Sequence, residues 1–218
     1  SYNGFFTTPI AQGWGVREVV NEGLMAFFFL LVGLEIKREI LAGQLQTVRQ
    51  ASLPLVAALG GMIAPALLFL LLNGGTPHAS AWGIPVATDI ALSLGVLRLA
   101  HRQGGPGSRL FLTSVAIVDD LGAVVVIALF YSTSIGLWGL GLAFLSVALL
   151  GLLARRRYFS WILALVAGLV AWGGFLNAGI HPSLAGVLLA LAIPYDPEND
   201  DSPLTRLEHA LGPWVAHA

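Results

Sequence analysis

The sequence has no cysteine and very little charge. Without cysteine, a disulfide framework, a thiolate metal site and a cysteine nucleophile are all excluded. Only 11% of the 218 residues are charged, whereas a soluble domain carries about 25%. The net charge of −1 gives no electrostatic footprint for DNA or RNA. These absences exclude an ordinary soluble enzyme, a nucleic-acid-binding protein and a disordered chain.

Apolar residues dominate what is present. They make up 56% of the chain, and the mean hydropathy is +0.81. A membrane-spanning helix needs about 20 mostly apolar residues, and the sequence predicts seven such spans. They cover residues 19–36, 51–73, 79–98, 109–131, 135–154, 160–177 and 180–195. The predicted fold class is therefore all-α, a polytopic helical membrane protein in which residues 1–218 form a single transmembrane domain.

The basic residues support this topology independently. They fall between spans one and two, three and four, and five and six, and the intervening loops hold none. The residues are Lys37, Arg38, Arg49, Arg98, Arg102, Arg109, Arg155, Arg156 and Arg157. By the positive-inside rule, loops 37–50, 98–109 and 155–157 and the polar loop 196–206 are predicted to be cytoplasmic.

Three acidic residues lie inside predicted spans rather than at their ends. Asp89 is in the third span, and Asp119 and Asp120 are at the centre of the fourth. Each carboxylate at the bilayer centre costs about 2.5–3.5 kcal/mol on insertion scales, so we expect them to face a polar cavity or a partner. Either a buried structural network or an ion or proton pathway would meet that need. Consecutive helical positions point about 100° apart, so Asp119 and Asp120 are expected to have different partners and roles.

An ion pathway suits the chemistry of these residues. Burial and a neighbouring like charge both favour the neutral form of a carboxylate, which allows a proton to exchange for a cation. Hard cations prefer oxygen ligands, and Asp, Thr and backbone carbonyls supply them. Pro85, four residues before Asp89, removes a helical hydrogen bond. It indicates either a simple kink or a broken helix whose freed carbonyls line the site.

A second group of charged residues lies at the end of the first predicted span. Glu35 and Glu39 are four residues apart and share a helix face, with Arg38 beside them. The spacing indicates either a salt-bridged helix end or a regulatory charge cluster. His181 precedes a proline at a predicted outer turn, and we interpret it as an interfacial histidine with satisfied hydrogen bonds.

Six segments together give the sequence a resemblance to a known family. They are LMAFFFLLVGLEIKRE (24–39), GGMIAPA (60–66), PVATDIAL (85–92), AIVDDLGAVVVIALFY (116–131), HPSLAG (181–186) and RLEH (206–209). The chain resembles the NhaA-type sodium/proton antiporters of bacteria from about residue 21 to residue 214. An aspartate pair in an apolar helix, preceded by an Ala-Thr-Asp segment, is the most specific part of this resemblance.

The resemblance implies a role for each residue of the predicted ion site. Asp120 would be the main cation-binding and proton-exchanging carboxylate, with Na⁺ bound transiently by Asp120 and Asp119. Asp119 would be the partner of Asp120 in proton coupling and would form a charge pair with a lysine. Thr88 and Asp89 would form the break in a discontinuous third helix beside the ion site.

The resemblance also implies an organisation for the rest of the chain. About seven transmembrane helices would belong to a larger inverted-repeat transporter, and residues 51–131 would be the first three-helix repeat. A cytoplasmic funnel and pH-sensing cluster would contain Glu35, Arg38, Glu39, Glu208 and His209.

The implied function is a multi-pass transporter of the bacterial inner membrane, and not an enzyme. It would exchange Na⁺ or Li⁺ for H⁺ and so regulate intracellular pH and sodium. Its partners would be Na⁺, Li⁺, H⁺ and membrane lipid, with a homodimer as a further expectation and with no cofactor and no nucleic acid. Two alternatives stand beside it, an intramembrane aspartyl protease and a transport-inactive structural fragment.

The family pattern is longer than this sequence. The lysine that would pair with Asp119 is missing from the apolar spans, since the only lysine is Lys37 at the membrane edge. We therefore expect the chain to be a truncated form, and we expect it to exchange no ions by itself.

Overall fold

The computed structural model describes residues 9–11, 14–86, 88, 90–100, 106–130 and 136–215. Two short antiparallel strands come first, β1 (Pro9–Ala11) and β2 (Trp14–Gly15). Helices make up most of the rest of the described chain. They are α1 (Val16–Ala42), α2 (Val48–Asn73), a 3-10 helix (Ala79–Val86), α3 (Ile90–Ala100), α4 (Pro106–Phe130), α5 (Leu137–Arg155), α6 (Trp161–Asn177), α7 (Leu184–Ala192) and α8 (Pro203–Val215).

The predicted helical class is confirmed, and the strand pair is an addition to it. The strands contain only three and two residues. A segment that short carries no alternating pattern from which a strand could be predicted.

Hydroxyl side chains begin two of the long apolar helices. Thr47 accepts a hydrogen bond from the backbone N–H of Gln50 at 3.3 Å, at the start of α2. Ser160 accepts one from the N–H of Ile162 at 3.3 Å, at the start of α6. Each side chain satisfies a backbone donor that a helix N-terminus leaves open.

Two predicted spans differ from the observed helices. The third was predicted as residues 79–98, but a 3-10 helix ends at Val86 and α3 begins at Ile90, with Thr88 in non-helical backbone between them. The seventh was predicted as residues 180–195, but α7 has only nine residues. Prolines lie on both sides of α7, at Pro182 and Pro194, and a proline restricts the backbone before it to extended conformations.

Two helices of the described chain are long and apolar enough to cross a membrane, judged by length and composition alone. They are Val48–Asn73, with a mean hydropathy of 2.5, and Leu137–Arg155, with 2.2. Trp161–Asn177 is apolar but shorter. Only 6% of the apolar window of α2 is buried within the protein, so most residues of this window are at least partly exposed in the described structure.

The chain divides into two compact units, whose boundaries fall inside α1 and near the end of α4. The first unit consists of Ser1–Lys37 and Phe130–Ala218, and the second is Arg38–Leu129. The predicted repeat at 51–131 overlaps the second unit almost completely. That this segment is one half of an inverted repeat remains a prediction.

The core of the first unit is built on α1, α7 and α8. Leu30, Leu34, Ala190, Ile193 and Leu204 form one buried cluster. The α5 and α6 helices approach closely at a pair of glycines, since a Cβ atom at Gly174 would lie 2.7 Å from the carbonyl oxygen of Gly139. Such small-residue contacts are typical of helix packing in membranes.

In the second unit, α2 packs against the 3-10 helix. It also contacts α4, because the thioether of Met62 lies over Gly122, where a Cβ atom would be 2.6 Å from the sulfur.

We predict that Gly186→Ala destabilises the first unit. A Cβ atom there would lie 2.7 Å from the backbone nitrogen of Leu30 and closer still to the carbonyl oxygen of Ala26. Because backbone atoms cannot move aside as a side chain can, we expect a loss of about 1–3 kcal/mol, measured by the unfolding midpoint in detergent. Gly141→Ala is the matched control, since a Cβ at Gly141 meets nothing within 4 Å. Equal midpoints for the two variants would contradict the prediction.

Candidate functional site

The two central aspartates lie on α4, within an apolar stretch of the helix. Asp119 is buried, with 6% of its surface exposed, and follows the buried residues Ile117 and Val118. Asp120 is half-buried. The structure therefore places the two carboxylates in different environments, as their consecutive helical positions predicted.

Asp119 has a partner within the same unit. The hydroxyl of Thr88 donates a hydrogen bond to Oδ2 of Asp119. Thr88 can do so because it lies in the non-helical backbone between the 3-10 helix and α3, where its side chain is not confined to a helix surface. This hydrogen bond joins two residues that are 31 positions apart in sequence. The non-helical segment at Thr88 and the aspartate pair therefore form one site.

Asp120 differs from Asp119 in its contacts. Within the described residues, no hydrogen bond joins its carboxylate to another group. The side chain of Asp89, the fourth predicted member of the site, lies outside the described residues.

The chemistry of this arrangement is that of a small hard cation or a proton. The carboxylates of Asp120 and Asp119 and the hydroxyl of Thr88 supply oxygen ligands, which Na⁺-like hard cations prefer. Within the described part of the chain, no group of three or more His, Cys, Asp or Glu side chains is arranged to hold a metal ion.

The predicted funnel residues of α1 lie in its last three turns. Glu35, Arg38 and Glu39 are all half-buried. The carboxylate of Glu39 accepts a hydrogen bond from the backbone N–H of Gln44 at 2.8 Å, and its carbonyl accepts from the N–H groups of Gly43 and Leu45 at 3.1 Å. Glu39 therefore closes the end of α1 through hydrogen bonds with backbone N–H groups.

The other two predicted funnel residues lie on α8, where Glu208 is half-buried and His209 is exposed. The start of α8 is fixed by Arg206, whose Nε donates to Oδ1 of Asp201 at 2.6 Å. The hydrogen bonds and the charge of Arg206 hold the pKa of the Asp201 carboxyl below its usual value. Glu35 belongs to the first unit with Glu208 and His209, whereas Arg38 and Glu39 belong to the second. The assembly of all five into one cluster remains a prediction.

Sequence reasoning missed a pair of charged residues on α1. Glu22 was counted within the first span without being singled out, yet its Oε2 accepts from the backbone N–H of Ser183 at 3.3 Å. Its Oε1 lies 3.2 Å from Nδ1 of His181, which gives that histidine the partner its interfacial interpretation requires. Lys37 was interpreted only as a topology marker, yet its Nζ donates to the carbonyl oxygens of Leu191, at 2.8 Å, and Ile193. No local signal pairs residues that are more than 150 positions apart.

We predict that Thr88→Val destabilises the second unit, because it leaves the buried Asp119 carboxylate without the hydroxyl that donates to it. Hydrogen bonds to charged groups contribute about 1.5–3 kcal/mol, so we expect a loss of that size in the free energy of unfolding. Thr88→Ser keeps the hydroxyl and should retain most of the stability. A Thr88→Val protein as stable as the wild type would show that the hydrogen bond contributes nothing.

Comparisons with known proteins identify the family to which the chain is similar. The family model described as Na+/H+ antiporter 1 matches residues 1–218. The Na(+)/H(+) antiporter NhaA of Escherichia coli (strain K12) is 44% identical over 227 residues, covering 99% of this chain and 58% of the relative. The NhaA of Pseudomonas fluorescens (strain Pf0-1) is 46% identical over 225 residues, covering 99% and 57%. The chain thus spans a little more than half the length of these relatives, and the resemblance predicted from its motifs is confirmed.

Proposed function

The chain belongs to the Na+/H+ antiporter 1 family, and from this premise we propose that the protein exchanges Na⁺ or Li⁺ for H⁺ across a membrane. The exchange would regulate intracellular pH and sodium and would need no cofactor. The observation that carries the proposal is the hydrogen bond from Thr88 to the buried Asp119, beside the half-buried carboxylate of Asp120. The protein is a transporter in this proposal, and not an enzyme.

Asp120 is the residue at which the two ions compete. Its carboxylate is half-buried, adjacent to a second carboxylate and without a hydrogen bond to another described group. A bare carboxylate is costly inside a bilayer, and either a bound proton or a bound Na⁺ neutralises it. Since both ions relieve the same charge at the same atoms, only one of them is held at a time. This competition makes the transport an exchange.

Asp119 has a positioning and coupling role next to Asp120. Its carboxylate is fixed by Thr88, so it presents its second oxygen in one orientation. We propose that the 3-10 helix and α3 together form one discontinuous span, with Asp89 beside the break. The 3-10 backbone up to Val86 and the non-helical Thr88 support this interpretation.

We propose a multi-pass protein of the bacterial inner membrane, with loops 37–50, 98–109, 155–157 and 196–206 in the cytoplasm. Contacts in the first unit support this topology, which requires the first and seventh spans to run in the same direction. Glu22 contacts Ser183, and Lys37 contacts Leu191 and Ile193, so α1 and α7 are parallel. Membrane lipid is the solvent for the exposed apolar faces, and a homodimer is the proposed assembly.

The cytoplasmic end of the protein would supply the regulation. We assign Glu35, Arg38, Glu39, Glu208 and His209 to a funnel that collects cations and responds to pH. Three of these side chains are acidic and attract cations, and the half-buried positions of Glu35 and Glu208 keep those two near apolar surface. The family does not favour the aspartyl protease alternative.

We predict that Asp120→Asn abolishes sodium-dependent proton flux. The amide cannot exchange a proton for a cation, so the flux should fall to background. The measurement is the collapse of a preformed pH gradient on adding Na⁺ to everted membrane vesicles. The vesicles contain this chain followed by the remaining part of the Escherichia coli relative.

Asp200→Asn is the matched control, because Asp200 is an exposed carboxylate of the predicted cytoplasmic loop. It should leave the flux unchanged. The 218-residue chain without the added part should show no exchange. Full flux with Asp120→Asn, or no sodium response in the unmutated chimera, would refute the proposed function.

A further inference from the structure

The α1 helix contacts both ends of α7. At the start of α7, Oε2 of Glu22 accepts a hydrogen bond from the backbone N–H of Ser183, the N-cap residue, at 3.3 Å. At the end, Nζ of Lys37 donates to the carbonyl oxygen of Leu191 at 2.8 Å and to that of Ile193, the C-cap residue. One helix thus supplies a side-chain partner to each terminus of another.

The charges of these two side chains match the dipole of α7. A helix N-terminus carries unpaired N–H groups and partial positive charge, and its C-terminus carries unpaired carbonyls and partial negative charge. The acid lies at the positive end and the base at the negative end. Because α7 has only nine residues, a large part of its backbone belongs to its termini. A helix of that length is not stable without tertiary partners.

Between the two ends, the helices touch through their backbones. A Cβ atom at Gly33 would lie 2.7 Å from Cβ of Ala190 and 3.0 Å from Cα of Val187. Gly186 is equally close to the backbone of α1 at Leu30. This contact fixes the separation and rotation of the two helices, and the end contacts fix their register.

The surroundings of Lys37 include a second cation. A groove of about 660 Å³ runs beside it, and Arg155 and Tyr195 share the lining. The carbonyl oxygens of Leu191 and Ile193 accept the hydrogen bonds of the Lys37 ammonium group at this place. Lys37 is therefore held by the helix end that it caps.

We propose that Glu22 and Lys37 are positioning residues that clamp α7 to α1 from both ends, and that Lys37 thereby fixes the inner end of α1. Glu35 lies two residues before Lys37 and precedes the buried Ile36, so its place in the funnel depends on this clamp. The consequence for transport rests on the proposed function, whereas the clamp itself does not.

The clamp is tested by hydrogen–deuterium exchange on the detergent-solubilised chain. In Lys37→Met, the amides near the end of α7 should exchange about tenfold faster or more, given the usual strength of a cation at a helix C-terminus and of charge-assisted hydrogen bonds. Lys37→Arg can still donate to the carbonyls and should restore most of the protection. Arg49→Met is the matched control, because it removes an exposed cation and should leave α7 unchanged.

A second variant covers the case in which Lys37→Met does not fold. Glu22→Gln should increase exchange at the start of α7, near Ser183, with a smaller effect at its end. Exchange at α7 that is unchanged in Lys37→Met, or increased equally by Arg49→Met, would overturn the clamp. If only Glu22→Gln can be studied, unchanged hydrogen–deuterium exchange at the start of α7 would overturn the clamp.

The effect on transport is measured in the same vesicles as the proposed function. Lys37→Met should raise the half-saturating Na⁺ concentration several-fold and leave the rate at saturating Na⁺ nearly unchanged, because Asp119 and Asp120 are untouched. Lys37→Arg should restore the half-saturating concentration. An unmutated protein without sodium-dependent flux would refute the proposed function alone. Normal flux with the half-saturating concentration unchanged in Lys37→Met would refute the positioning role alone.

Discussion

A carboxylate in an apolar helix must be hydrogen-bonded or neutralised, and this constraint organises the second unit. Asp119 is buried on α4 and receives the hydroxyl of Thr88. The hydroxyl is available because Thr88 lies in non-helical backbone between the 3-10 helix and α3. The irregular backbone and the buried charge therefore depend on each other. Asp120, one residue further on, lies outside that hydrogen bond, and in the proposed function its oxygens bind the exchangeable ion.

Polar groups also need partners in the first unit, but there the charged side chains supply the partners and the backbone groups receive them. There the charges stabilise helix ends, since Glu22 and Lys37 partner the open N–H and C=O groups of α7. A membrane interior offers no water to these groups, so each must find a partner within the protein. In the proposed function, these charges therefore form two groups, the aspartates at the exchange site and the pair Glu22 and Lys37 at the ends of a short helix.

The sequence predicted those features that are encoded locally. Long apolar runs predicted the helices, and the aspartates within them predicted the site, because both are properties of one segment. The partner of Asp119 was implied only in part, since Thr88 was expected beside the site but a lysine was expected as the partner. The contacts of Lys37 and Glu22 could not be predicted. They arise from packing between segments about 160 residues apart, for which a single sequence carries no periodic signal.

The length of α7 has a consequence for how the protein enters the membrane. Nine residues at 1.5 Å each give a helix of about 14 Å, less than half of a hydrocarbon core of about 30 Å. Such a segment is a poor candidate for insertion on its own during synthesis. In the membrane topology proposed above, its stable burial would require α1, which is synthesised some 150 residues earlier, to be already in the bilayer with Glu22, Gly33 and Lys37 in place. Under that proposal, α1 is the template onto which α7 packs.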